Sequence, residues 1–135
     1  MKPMHTCSRC GRPLRSPNAW HYCVRVDLDA LFADKHPELE YVFDKLLLEL
    51  YEWGELNFSA TKAAIVFVNQ RRSWLIIRPL KKALDLKFYL PEAHDKFPVV
   101  KTRYDRSKWE HHIRLQQVED VDEQVLQLLR QAYAF

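Results

Sequence analysis

Glycine is almost missing from this chain: among 135 residues there are two, Gly11 and Gly54. A phosphate-cradling loop needs several glycines at fixed spacing, so that class of nucleotide site is excluded. No G-x-S-x-G occurs, which removes the nucleophile elbow of the α/β-hydrolases. No apolar run approaches the about 20 residues that span a bilayer, and no signal-peptide pattern is read at the start. The expectation is a soluble chain with reduced thiols, hence cytoplasmic and without a membrane partner. Internal repeats and low-complexity tracts are absent too. Apolar residues are not scarce: they make up 47% of the chain and aromatics 13%, enough for one well-filled core.

Acids are missing from one stretch. Residues 1–26 contain Lys2, Arg9, Arg12, Arg15 and Arg25 and no Asp or Glu, a net charge of +5. The whole chain carries only +3, so residues 27–135 are net −2. Within that part, 62–114 holds thirteen bases against five acids, and its flanks are acidic. The expected organisation is an arm over 1–26 and an α+β domain over 27–135.

The three cysteines lie in the arm. Cys7-x2-Cys10, ten residues, then His21-x-Cys23 places three thiols and an imidazole within seventeen residues. Structural zinc is held tetrahedrally by Cys3His sets of this kind. Gly11 after Cys10 frees the turn that folds two thiolates onto one ion. Residues two apart on an extended strand share a side, so His21 and Cys23 can reach the same ion. Pro13, Pro17 and Asn18 make the intervening segment a loop. The competing readings are a redox C-x-x-C, which lacks its βαβ surroundings, a disulfide with one spare thiol, and His5 in place of His21. Four protein ligands leave no open position, so the expected Zn2+ is structural, not catalytic. The only large apolar groups between the cysteines are Leu14, Trp20 and Tyr22. The metal would then be what folds the arm, contributing on the order of 10 kcal/mol.

Beyond the arm, Asp27–Phe32 reads as a short helix docked by Leu28, Leu31 and Phe32. A longer one is expected over about 37–53. Pro37 opens it, Leu39, Val42, Phe43, Leu46, Leu47, Leu50 and Tyr51 form its apolar face, and Gly54 ends it. Period-two strands are then expected at Leu56–Ser59, Ala63–Asn69, Ser73–Arg78, Ala83–Leu90 and Trp109–Leu115, with a loop over 91–108. Asp120-x-x-Glu123 announces a closing helix with the stripe Val121, Val125, Leu128, Leu129 and Ala132. The expected fold class is α+β: an antiparallel sheet of four or five strands packed on one face by two amphipathic helices, with an N-terminal zinc-binding arm.

The run from Phe67 through Lys82, Leu84-Asp85-Leu86-Lys87-Phe88-Tyr89-Leu90, and the ending Val118–Glu123 with Leu129-x-x-Ala132-Tyr133 resemble the bacterial domain of unknown function 5655 family. The Cys-x-x-Cys with Trp-His-x-Cys resembles an N-terminal extension of some members. More distantly the pattern is similar to YdhG-like and YjbR-like small α+β domains. The resemblance covers nearly the whole chain and implies a fold, but no catalytic residue.

Asp85-x-Lys87 on a strand has the look of a metal-dependent nuclease, but such sites need further carboxylates to hold Mg2+, and Ser73–Arg78 offers none. Alternation puts one of His111 and His112 inside and the other outside, so they cannot share a metal. The bases Arg72, Arg78, Lys81, Lys82, Lys87, Lys101, Arg103, Arg106, Lys108 and Arg114 are expected to gather on an open sheet face with Trp74 or Tyr89 and with Tyr104. The first expectation is therefore a non-enzymatic module contacting nucleic acid, with Arg9, Arg12, Arg15, Arg71, Arg72, Lys81 and Lys82 on phosphates. A protein partner docking on the zinc arm or a sheet edge is the alternative, and an Mg2+-dependent nuclease the lesser one.

Overall fold

The computed structural model describes residues 5–6, 13–14, 28–54, 56–69 and 72–135. Two short strands, β1 (His5–Thr6) and β2 (Pro13–Leu14), pair antiparallel with His5 opposite Leu14. The rest is a six-stranded antiparallel sheet with helices against one face. In chain order these are α1 (Leu28–Phe32), α2 (Glu38–Tyr51), β3 (Asn57–Ala60), β4 (Ile65–Asn69), β5 (Arg72–Pro79) and β6 (Leu84–Leu90). After them come β7 (Val99–Asp105), β8 (Lys108–Leu115), a 3-10 turn at Val118–Asp120 and α3 (Glu123–Ala134). The spatial order is β3-β4-β5-β6-β8-β7, so β8 lies between β6 and the edge strand β7.

The sheet is wider than the four or five strands expected, because residues assigned to a loop form β7. Its side chains explain the difference. Only Val99 of that strand is buried, Val100 is exposed, and Lys101, Thr102, Arg103 and Asp105 supply no apolar alternation. The turn joining β7 to β8 also lacks the usual signal: Arg106 and Ser107 both have positive φ, 52° and 75°, in a two-residue hairpin that favours Asn-Gly.

The apolar face follows from alternation in the central strands. Leu84, Leu86, Phe88 and Leu90 of β6 are buried with Ile65 and Phe67, Leu75 and Ile77, and Ile113 and Leu115 of the neighbouring strands. Helix α2 brings Leu39, Val42, Phe43, Leu46 and Leu50 to this layer, and α3 brings Val125, Leu128, Leu129 and Ala132. Tyr51, expected on the α2 apolar face, is exposed, and Leu47 is half-buried. Each stands one residue, about 100°, beyond the Leu46–Leu50 line and falls off the stripe.

Helix ends are fastened by local chemistry. His36 accepts the Glu38 N–H at Nδ1, 3.2 Å, with Pro37 already in helical geometry at φ −58°. Gly54 takes φ +128°, a conformation open to glycine, as the chain leaves α2. The cap of α3 is Asp122, which accepts the Val125 N–H at 3.0 Å, two residues beyond the expected Asp120. Asp120 instead accepts Gln116 and Gln117 N–H groups in the preceding turn. Among the described residues, no helix is long and apolar enough to cross a membrane.

Candidate functional site: the open face of the sheet

With the apolar residues of β6 committed to the helices, Asp85, Lys87 and Tyr89 face the other way. Pairing across the sheet then writes this open face as rows. Arg78, Asp85 and Arg114 are neighbours in one row. Ile76, Lys87, His112 and Lys101 form the next, and Tyr89, Glu110 and Arg103 the third. Adjacent strands lie about 4.8 Å apart and rows about 7 Å apart. An acid or a histidine thus sits at the centre of each row: cations stand on both sides of Asp85 and of His112, while Glu110 has Arg103 on one side and Tyr89 on the other.

The central residues form one chain of contacts. His112 Nδ1 lies 3.0 Å from Asp85 Oδ2, and His112 Nε2 lies 2.7 Å from Glu110 Oε2. Each ring nitrogen faces a carboxylate oxygen, so both hydrogen bonds form only when both nitrogens carry a proton. Arg103 Nη2 donates to Glu110 Oε1 at 3.0 Å, and Arg114 Nε to Asp85 Oδ1 at 3.4 Å. The two carboxylates are nearly buried, at 4% exposure for Asp85 and 6% for Glu110. Burial works to raise the Glu110 carboxyl. The His112 and Arg103 hydrogen bonds, with the charges of Lys87 and Arg103, outweigh it and hold that group below the ordinary carboxylate value. The same Glu110 contact raises Arg103.

The neighbouring histidine has a different role. His111 is fully buried on the core side, stacked on Phe88 at 5.5 Å. Its Nδ1 lies 2.9 Å from the Trp109 carbonyl, and its Nε2 accepts the His94 N–H at 2.9 Å. This fixes a neutral ring protonated on Nδ1. Burial pushes its pKa down, aided by His94 and His112 and opposed by the Trp109 carbonyl. One histidine inside and one outside is what alternation predicts.

These contacts decide what the face can do. All four oxygens of Asp85 and Glu110 lie against protein nitrogens, and both nitrogens of His112 face these carboxylates. Among the described residues, no three His, Cys, Asp or Glu side chains are placed to hold a metal ion. The cations are the available chemistry. Arg78 and Lys101 are exposed and have no salt-bridge partner among the described residues, while Lys87 lies within electrostatic range of Glu110. Arg103 and Arg114 give one edge to a carboxylate and leave their side chains 64% and 56% exposed.

The family model described as domain of unknown function (DUF5655) matches residues 28–135. The chain belongs to the DUF5655 family. No curated protein and no solved structure matches it. The matched span of the DUF5655 domain contains every residue of the open face just described.

The residues singled out from the sequence fall in several places. Cys7, Cys10, His21 and Cys23 lie outside the described residues, as do Arg9, Arg12, Arg15 and Arg71. Arg72 faces the helix side: its Nη2 donates to the Ala132 and Tyr133 carbonyls, 3.2 and 3.4 Å, and its guanidinium lies over the Phe135 ring. Lys81 and Lys82 are exposed in the β5–β6 turn, at the opposite end of β5 from Arg72. The seven strand residues after Arg72, at about 3.3 Å each, separate them, so these three bases form no common patch.

The aromatics also divide. Only Tyr89 joins the open face. Trp74 is buried against Trp53, Phe67 and Tyr133. The register shift that pairs Phe67 with Leu75 but Val68 with Ser73 leaves Trp74 as the bulged residue. Tyr104 is exposed but pairs with Trp109, on the face opposite Arg103.

Proposed function

We propose that the DUF5655 domain of this chain is a non-enzymatic binding module that contacts nucleic acid through the open face of its sheet. The carrying observation is the consumption of the acids. Asp85 and Glu110 are nearly buried on this face and shared with His112, while Arg78, Lys87, Lys101, Arg103 and Arg114 stand around them. Phosphate oxygens are the acceptors such a surface suits. The contacting set is therefore shifted from Arg72, Lys81 and Lys82 to these five.

Residues 1–26 are proposed as a basic arm folded around structural zinc. Three thiols and an imidazole are a donor set that Zn2+ takes, and Cys7, Cys10, His21 and Cys23 would hold it. The β1–β2 pairing supports this, since it sets His5 and Thr6, just before Cys7 in the chain, beside Pro13 and Leu14, shortly after Cys10. The expected result is one zinc per chain, lost in Cys10→Ser, measured by metal analysis of the purified protein.

The binding test is a salt titration with labelled DNA and RNA. About four to five phosphate contacts give a log-log slope near −4, a loss of roughly 250-fold between about 50 and about 200 mM salt. Lys87→Gln with Lys101→Gln should lower the slope by about two. Binding that ignores salt, or none at about 50 mM, would overturn the proposal.

A protein partner is the second reading, favoured by Tyr41, Leu48 and Tyr51, which stand 67%, 70% and 54% exposed along α2. It predicts a complex that survives moderate salt and is lost in Leu48→Lys. The nuclease reading has less support, because the Asp85 oxygens are occupied by His112 and Arg114.

A further inference from the structure

We infer that the open face recognises the phosphate backbone alone, without stacking a base, so that any chain of closely spaced phosphates is a ligand. The inference rests on the nucleic-acid reading above and narrows it to a class of contact. Proteins that grip single strands regularly combine a basic groove with aromatic platforms on which bases stack. Among the described residues of this face the cations are present and the platforms are not.

Among the described residues, the aromatics carried by the strands near the face are already used, and Phe97, 78% exposed ahead of β7, stands outside the three rows. The ring of Tyr89, the one aromatic in the three rows, is covered by the Lys108 ammonium at 4.1 Å from its centroid. Tyr104 lies on the other side of the sheet, edge-on to Trp109 at 5.2 Å, with its hydroxyl accepting the Ser107 N–H at 3.1 Å. Trp74 is 1% exposed in the core. The apolar side chains that β4 and β5 add on the open side are aliphatic: Ile76, which pairs with Val66 and Lys87, Val66 itself and Val68. Aliphatic groups exclude water but offer no π-face.

The cations, by contrast, are spaced for a phosphate chain. Arg78 and Arg114 flank Asp85, and Lys87 and Lys101 flank His112. Flanking pairs are two strands apart, about 10 Å, and rows about 7 Å apart. Arg114 and Arg103 are held on their rows by Asp85 and Glu110, which makes these acids positioning residues for the binding cations. The buried carboxylates therefore serve recognition without meeting the ligand.

The test compares four probes of matched phosphate number at about 50 mM salt: an oligo-dT strand, an abasic deoxyribose-phosphate strand, a DNA duplex and inorganic polyphosphate. The expected result is binding of all four, with the abasic and oligo-dT strands within about threefold of each other. Lys87→Gln with Lys101→Gln weakens both by a common factor, on the order of tenfold. Tyr89→Leu leaves both within about twofold of the wild-type chain. Oligo-dT bound about tenfold or more tightly than the abasic strand would overturn the inference while leaving the nucleic-acid reading intact. Absence of binding to every probe would overturn both. The probe comparison in the wild-type chain needs no variant to fold.

Discussion

Replacing His112 with Leu should cost more stability than any other single change on the open face. The imidazole joins two carboxylates that are 4% and 6% exposed, and its own side chain is 13% exposed. Removing it leaves Asp85 and Glu110 desolvated, each with one arginine at its outer oxygen. Breaking a buried ion pair by deleting one partner costs about 3–5 kcal/mol. Arg103 and Arg114 remain, but from exposed positions, so the expected loss is about 2–3 kcal/mol. With a urea slope near 2 kcal/mol/M, the midpoint falls by about 1–1.5 M at neutral pH. The cost should depend on the acids. In a Glu110→Gln background His112→Leu should lose less, giving a coupling of about 1–2 kcal/mol in a double-mutant cycle. A His112→Leu penalty below about 0.5 kcal/mol, or the same penalty with and without the Glu110 charge, would refute the account of this network.

Three other perturbations probe separate parts of the fold. Stability should fall as pH drops below about 6.5 and again below about 4.5: His111 in the first window and Glu110 in the second have folded pKa values below these ordinary ones, so the unfolded chain binds more protons. Denaturant midpoints across pH check this, and a curve that rises toward acid would contradict it. Arg106→Asn with Ser107→Gly should stabilise by about 1–2 kcal/mol, since both residues occupy the left-handed region in a turn that prefers Asn-Gly. An unchanged or lower melting temperature would count against the turn assignment. Arg72→Ala should cost about 1–2 kcal/mol and loosen the end of α3, because its guanidinium serves the Ala132 and Tyr133 carbonyls. Amide exchange near the α3 C-terminus reads this directly.

The parts of the fold legible in the sequence are those where one face is apolar and the other is not. Leu84, Leu86, Phe88 and Leu90 fix both the strand and its orientation, and the 3.6-residue stripe of α3 does the same for a helix. Strand β7 escaped because an edge strand with one buried side chain has no period to detect, and its turn carries Arg-Ser where a signal would be Asn-Gly. Of the two alternatives Trp74 and Tyr89, the sequence could not choose, because the bulge that sends Trp74 to the core breaks alternation without any local mark. The Asp85–His112–Glu110 network was hidden for another reason. Asp85 and Glu110 are twenty-five positions apart, and only the pairing of β6 with β8 brings them to one imidazole. A sign was present in Glu110-x-His112, which alternation places on one face, but it acquires meaning only beside Asp85. The basic bias of 62–114 was plain, whereas which bases share the face depends on strand register.

The measurement that bears most directly on the central claim is the salt dependence of nucleic-acid binding by the intact chain and by its Lys87→Gln, Lys101→Gln variant. The account predicts a slope near −4 for the wild-type chain and one shallower by about two for the variant. Equal slopes for the two proteins would contradict it, because the charge would then act from somewhere other than the open face of the sheet.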